Sequence, residues 1–387
     1  MDPGYKKQLG QTEVSLSRLG FGGGTLGDPT EITTEEQATA TMAAAYERGI
    51  RYFDTAPWYG NTKSEHRVGG FLRTEPREEF TLSTKVGRIY SRPKDIDDFK
   101  SNSPYAKRWL GGLPFELRFD YTYDGIMRSY EDSLNRLGVP NVDCLTIHDL
   151  DIRHQKTDEG VAAGFRQLDE GRGFTALKEL RDQGQIKAIG AGINFVGAIP
   201  GFVENFDMDY FLYAGPYTLL NQPGLDGELQ LCQEKNIGII LGGVFASGIL
   251  ATGAVEGALY QYVDADPEIM DKVKQITAIC NSHGVELSAA ALQFPMHHPV
   301  VSSVIPGANH PDQVASNYDQ AGAEIPDDMW RELNAKAICV KKRQRPVRQC
   351  YFTEENEVGC KIELVIDVIS GPFFSVSVLL LSHSGSA

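Results

Sequence analysis

Short apolar runs alternate with amphipathic segments from Leu19 to Ile305. Short runs of this kind read as buried strands, and apolar spacing of three and four reads as one face of a helix. The pattern predicts strands at Leu19–Gly22, Arg51–Thr55, Phe80–Lys85, Val142–Ile147, Ile186–Gly190, Asp209–Ala214, Gly238–Leu241 and Val300–Ile305. Helices are expected between them. Thr33 stands three residues before Glu36, a capping-box start for a helix running to about Gly49. Ser64 is placed to cap a helix through Leu72, and Tyr123–Leu137, Phe174–Gln183 and Glu228–Lys235 follow. Pro267 opens a long helix, and a short one begins after Asn309 and His310, near Pro311. About eight strand–helix units predict an α/β fold closed as a (β/α)8 TIM barrel. An open doubly wound sheet is the alternative, and no GxGxxG in the required context, after the first strand and opening a helix, supports it.

Two stretches break the rhythm. After the third strand, residues 87–119 hold Tyr90, Tyr105, Trp109 and Phe115 among Pro and Gly, and so long a loop within a compact domain is usually functional or disordered. The barrel pattern ends near residue 338. Residues 339–387 read as an appended extension, with a basic run (Lys341, Lys342, Arg343, Arg345, Arg348) and an apolar stretch Phe373–Leu381 after Gly371-Pro372. Their composition predicts a weakly structured tail.

Bulk properties narrow the function. Of 387 residues, 41% are hydrophobic, enough for a large core, and the formal net charge is -15. An acidic chain is a poor match for nucleic acid, which rewards a basic patch. The six cysteines form no CxxC pair and no Cys/His metal grouping, so a reduced, cytoplasmic setting and no metal are expected. The start of the chain has no signal-peptide character, and no apolar run reaches membrane-spanning length. The expected partner is a small-molecule substrate, with no nucleic acid and no membrane.

Polar residues at the predicted strand ends carry the chemistry. Asp54 ends the second strand, Tyr59 lies just beyond it, Lys85 ends the third strand, and His148 ends the fourth. A barrel gathers such positions at one mouth. A phenol titrates near 10 in water, but a neighbouring ammonium favours the phenolate. Lys85 can supply that charge, Asp54 can hold the lysine, and His148 can hydrogen-bond a substrate oxygen. Together they suit interconversion of an alcohol and a carbonyl. A barrel lysine could instead form a Schiff base, as in an aldolase.

The segments GIRYFDTAPWYG (Gly49–Gly60), STK (Ser83–Lys85) and TIHD (Thr146–Asp149) resemble the aldo-keto reductase family, with a likeness running from about Tyr5 to Trp330. The resemblance implies a barrel that binds a nicotinamide cofactor without a Rossmann domain, with Asp54, Tyr59, Lys85 and His148 as its catalytic tetrad. The stretches Gly111–Gly138 and Ile147–Asp151 are similar to the L-fucose and D-threo-aldose 1-dehydrogenase branch, to which pyridoxal 4-dehydrogenases are also similar. The implied reaction is oxidation of an aldose at C1 to its lactone by hydride transfer. A pyridoxal 4-dehydrogenase, a general aldehyde or ketone reductase and a non-catalytic cofactor-binding subunit are the alternatives.

The same resemblance assigns a cofactor site. Asn194 matches the asparagine that holds the nicotinamide carboxamide; Ile193, Ala214 and Gly242 stand where the family often has serine, glutamine and a stacking aromatic. Ile305, Gly307, Asn309, Gln313 and Asn317 match the last-strand and helix motif that holds the pyrophosphate and adenosine. Gly307 permits close backbone approach, and the helix start offers free N–H groups to an anion. Asn309 replaces the Arg or Lys of many NADP-preferring relatives, forfeiting a charged hydrogen bond of about 1.5–3 kcal/mol, so NAD is expected over NADP. Trp58, Trp109, Phe115 and Asp149 are expected to shape the substrate pocket, with Asp151 a further acceptor for sugar hydroxyls.

Overall fold

The computed structural model describes residues 2–336, together with the backbone of three later strands. Eight parallel strands form one sheet: β1 (Phe21–Gly22), β2 (Tyr52–Asp54), β3 (Thr81–Val86), β4 (Cys144–His148), β5 (Ala188–Ile193), β6 (Tyr210–Ala214), β7 (Gly238–Gly242) and β8 (Val301–Val304). Each pairs with the next in chain order, and parallel bridges Leu19–Val304 and Gly22–Gly307 join the first strand to the last. The sheet is therefore a closed (β/α)8 barrel.

Alternation along each strand decides what faces inward. Tyr52, Cys144, Ala188, Tyr210, Leu212 and Ile240 pack in the interior. Their neighbours Phe53, Leu145, Ile189, Phe211, Ile239 and Leu241 pack in the larger core with residues of the surrounding helices. Gly190 is needed inside the barrel, because a Cβ there would lie 2.3 Å from the Tyr210 ring. An antiparallel hairpin, Lys6–Gln8 with Ser15–Ser17, carries Leu9 and Leu16 into the same interior core. Gly10 at its turn abuts the backbone of Asp209 and Gly238, which lead into β6 and β7.

The elements differ from the sequence expectation in identifiable ways. Helix α1 (Glu35–Glu47) is capped by Thr34, not Thr33: Thr34 Oγ1 accepts from Gln37 N at 3.1 Å, and Thr33 is buried. Thr34-x-x-Gln37 satisfies the same capping rule one residue later. Helix α2 (Lys63–Leu72) starts after Thr62 without a side-chain cap. Ser64 is spent elsewhere, donating to Gly23 O at 2.6 Å and sharing a hydrogen bond with Thr55 Oγ1 at 2.9 Å. The fifth strand lies later than Ile186–Gly190, because Asp143 O captures Lys187 N and Ala188 N before the ladder begins.

The excursion after β3 is built, not structureless. Arg88–Ser91 and Glu116–Phe119 pair as an antiparallel hairpin around two short helices, Ile96–Asn102 and Pro104–Arg108. Its tip is latched to the barrel mouth: Leu110 N donates to Asp28 O and Leu113 N to Gly60 O, both at 2.9 Å.

The chain divides into two compact units, Met1–Val340 and Lys341–Ala387. The second contains strands Phe352–Glu355, Lys361–Val368 and Val376–Leu381, paired as an antiparallel meander where a weakly structured tail was expected. The boundary near residue 338, the basic run from Lys341 to Arg348, and residues 373–375 of the apolar stretch lie outside the described residues.

Candidate active site

Strand parity brings Asp54, Lys85 and His148 to the inner face at the C-terminal end of the barrel. Each lies an even number of residues from an inward position on its own strand: Tyr52, Ser83 and Cys144. Lys85 Nζ donates to Asp54 Oδ2 at 2.6 Å and to Thr55 O at 2.8 Å. Asp54 Oδ1 accepts from Ser83 Oγ at 2.7 Å, and Ser83 Oγ also meets Tyr52 OH. The lysine and aspartate side chains are 2% and 1% exposed, so the ion pair is held in a dry environment. Burial alone would lower the Lys85 pKa, but Asp54 and Tyr59 together raise it, and the amine stays protonated.

Tyr59 comes from the turn after β2. Its ring centroid is 4.8 Å from Lys85 Nζ and 6.0 Å from the His148 ring. Tyr59 is half-buried, and desolvation by the surrounding protein pushes the phenol up to about 12. Lys85 opposes that rise by charge and hydrogen bonding, while the Asp54 and Asp149 carboxylates add to it. The expectation that the ammonium brings Tyr59 toward neutrality is therefore corrected: the lysine moderates a rise whose largest cause is burial. His148 is held neutral, its pKa driven well down by burial and then by Arg88, Lys85 and His154. Its Nδ1 is buried without a hydrogen-bond partner among the described residues. Tyr121 OH donates to His148 O at 2.8 Å and fixes the strand end.

Sequence reasoning missed Arg88. Its guanidinium is buried against Trp58 (4.6 Å) and Phe119 (5.0 Å) and donates to Asp149 Oδ2 at 2.5 Å. The available signal was a charged residue directly after Gly87 in an otherwise apolar run following Lys85. Asp149, with φ of 50°, turns back from β4 beneath His148, its Oδ2 lying 3.2 Å from His148 Nε2. Its other oxygen accepts from Asn194 Nδ2 at 2.8 Å. Asp151 Oδ2 accepts from the same nitrogen at 2.9 Å, and Asp151 Oδ1 meets His154 Nδ1 at 2.9 Å. Both carboxylates are thus engaged inside the protein, which counts against their expected role as free acceptors for sugar hydroxyls.

The mouth is walled on one side by aromatics. Trp58 packs edge-on to Tyr105 (5.7 Å) and Trp109 (5.4 Å), and Trp109 lies 6.1 Å from Tyr59. Trp109 Nε1 is buried without a partner among the described residues. Phe115 is half-buried in the same excursion. The inward positions at the ends of β5, β6 and β7 are the small residues Gly192, Ala214 and Gly242.

Beyond β8, Ile305 is buried, and Gly307 sits where a Cβ would lie 2.7 Å from Thr25 Cγ2. Helix α3 (Pro311–Gly322) follows, with His310 as its cap and Gln313 and Asn317 on its first turns. Asn309 N donates to Gln313 Oε1 at 3.0 Å, and Asn309 Nδ2 donates to Glu31. A cradle that only glycine fits, a helix start, and the wall of small residues leading to Asn194 together fit an elongated anionic cofactor with a flat head.

Comparison with known proteins agrees. Residues 18–338 match the model of the aldo/keto reductase family. The chain is 37% identical over 337 residues to pyridoxal 4-dehydrogenase of Microbacterium luteolum, covering 86% of this chain and 97% of that protein. It is also 37% identical to D-threo-aldose 1-dehydrogenase of a Pseudomonas species, covering 83% and 94% respectively. A solved structure of an aldo-keto reductase from Bacillus halodurans superposes with a TM-score of 0.65 at 23% identity, covering 88% of this chain and 99% of that one.

Proposed function

The chain belongs to the aldo/keto reductase family, and on that premise we propose that it oxidises a cyclic aldose at C1 to the lactone, with Tyr59 taking the proton and NAD preferred over NADP. It is an oxidoreductase of a family that uses nicotinamide cofactors. The observation that carries the reading is the buried Asp54–Lys85 pair beside Tyr59, with an unpartnered His148 nitrogen next to them.

The bound cofactor would supply the hydride acceptor; Asn194, Ile305, Gly307, Asn309, Gln313 and Asn317 are the residues that would hold it. A substrate hydroxyl between Tyr59 and His148 gives the imidazole its missing partner. Tyr59 acts in its phenolate form, which Lys85 favours, and becomes the neutral phenol on accepting the hydroxyl proton. Neutral His148 orients the oxygen without competing for the proton. Aldolase chemistry is disfavoured, since a Schiff base needs a neutral amine and Asp54 holds Lys85 protonated.

NAD preference rests on Asn309 and on a carboxylate beside it. Glu31 accepts from Asn309 Nδ2, so a 2′-phosphate there would meet a negative charge. A higher kcat/KM with NADP than with NAD would overturn this part.

The aromatic wall of Trp58, Trp109 and Tyr105 favours a second reading, a pyridoxal-type substrate, since a pyridine ring stacks where a sugar wants convergent polar groups. A panel of L-fucose, D-arabinose, L-galactose, pyridoxal and simple aldehydes, assayed with both cofactors, decides between them. Tyr59→Phe should lower kcat about 10²–10⁴-fold while NAD binding, followed by fluorescence, stays within twofold. Retention of most activity would remove Tyr59 from the reaction, and loss of NAD binding would make its role structural.

A further inference from the structure

The carboxylates of Asp149 and Asp151 converge on one amide nitrogen. We propose that they clamp Asn194 so that only its Oδ1 faces the nicotinamide carboxamide, and that the charge of Asp151 biases the site toward the oxidised cofactor. The inference rests on the reading of Asn194 as part of a nicotinamide site.

An amide side chain can present either its oxygen or its nitrogen, and nothing intrinsic chooses between them. Ionised carboxylates only accept. Asn194 Nδ2 spends both of its protons, on Asp149 Oδ1 at 2.8 Å and on Asp151 Oδ2 at 2.9 Å, so the amide orientation follows from chemistry. The part left for a ligand is an acceptor. It can receive an N–H from a carboxamide and can give nothing back. The constraint has particular weight in this chain. Ile193 and Ala214, the neighbouring positions at the ends of β5 and β6, carry no polar side chain to correct a misplaced ring.

The clamp itself is rigidly held. Asp149 is fixed by Arg88 at 2.5 Å, and Asp151 by His154 at 2.9 Å while its side chain caps the helix Ile152–Gln155. Burial would raise the Asp151 pKa, but the hydrogen bonds from His154 and Asn194 hold it below the usual carboxylate range, so it stays charged. Arg88 balances Asp149. The charge of Asp151 has no arginine or lysine of its own among these bonds. A nicotinamide held by Asn194, cationic when oxidised and neutral when reduced, would be separated from that charge by the Asn194 amide. A metal ion among Asp149, Asp151 and His154, whose ligand atoms lie within 4.8 Å of one another, would have to displace Arg88 and Asn194.

The test uses the full chain and equilibrium titration, independent of turnover. Asp151→Asn and Asp151→Ser both keep a helix-capping side chain while removing the charge, so folding is protected in two ways. Each should raise the ratio Kd(NAD+)/Kd(NADH) by about three- to tenfold, the scale expected for one unit charge at partly screened range. The 3-acetylpyridine analogue of NAD has a ring substituent that accepts but cannot donate. The native chain should bind it about tenfold more weakly than NAD, the effect of one lost buried hydrogen bond. Asp151→Ser frees Asn194 to turn and should narrow that gap to within threefold. An unchanged Kd ratio together with an unchanged analogue gap, in variants that melt like the native chain, overturns the clamp alone. A native chain that binds neither NAD+ nor NADH overturns the nicotinamide site and the clamp with it.

Discussion

At the residue scale, Tyr59 is governed by competition between water exclusion and one cation. Burial raises the phenol to about 12, and Lys85 prevents it from going higher. An oxidation that needs Tyr59 to accept a proton should therefore accelerate as pH rises toward 10, with no plateau near neutrality. Removing the cation moves the rise further into alkali. Lys85→Met alone would strand Asp54 as a buried charge, a fault costing about 3–5 kcal/mol. The informative variant is Asp54→Asn with Lys85→Met. Its kcat should fall about 10²–10⁴-fold, with the alkaline limb displaced upward and Tm nearly kept. A pH–rate profile that keeps the native midpoint would show that the lysine does not tune the phenol. The four tetrad positions were legible because strand ends are easy to locate and their residue types are rare there. The direction of the Tyr59 shift was not legible, because it depends on how much protein surrounds the hydroxyl, which no spacing records. Arg88 was missed for a related reason: a charge in an apolar run is ambiguous until its partner, 61 positions away, is known.

At the element scale, the excursion after β3 depends on a buried electrostatic knot. Asp28 is fully buried with φ of 59° and accepts from Lys63 at 2.7 Å and Arg67 at 2.6 Å. Lys63 Nζ also donates to Gly111 O at 2.9 Å, and Asn61 Nδ2 to Leu113 O at 3.2 Å, tying the excursion to helix α2 and the turn before it. The knot holds Trp109 against Tyr59. Hydrogen bonds and the lysine and arginine hold the Asp28 carboxyl below its ordinary value despite burial. Asp28→Ala leaves Lys63 without its anion and buried Arg67 with only the exposed Glu35, and should destabilise the protein by about 3–5 kcal/mol. It should also raise KM more than it lowers kcat, because it frees the pocket wall while Asp54, Lys85 and His148 sit on strands. Limited proteolysis between residues 92 and 112 should become faster. Unchanged cleavage and KM would mean that the excursion is held by its own hairpin. From sequence, this segment was legible only as a long loop. Its ladder pairs Arg88 with Phe119 across two short helices, a separation at which local pattern says nothing about pairing.

At the scale of the whole molecule, four histidines are harder to protonate in the folded chain, although only His148 is buried, His298 being half-buried and His66 and His297 exposed. His66, His148, His297 and His298 all have pKa values lowered first by burial. Cationic neighbours add to this: Arg136 beside His66, Arg88 and Lys85 beside His148, Arg18 beside His297, and Lys7 beside His298. The sign follows from linkage. Below about 6.5 the unfolded chain binds protons that the folded chain refuses, so stability falls as pH falls through that value. The depressed carboxylates Asp28, Asp120 and Asp151 act in the same direction, but only as pH drops toward their unfolded values near 4. Two stages of acid destabilisation are therefore expected, the first from histidines and the second from carboxylates. Tm measured between about pH 8 and pH 4 should show a first decline beginning near 6.5. His148→Asn, which removes the most deeply buried of these imidazoles, should flatten that first stage and leave the second unchanged. If the first stage survives intact, acid sensitivity comes from the other three histidines and His148 titrates freely, which would also remove the argument that it serves as a neutral hydrogen-bonding group beside Tyr59.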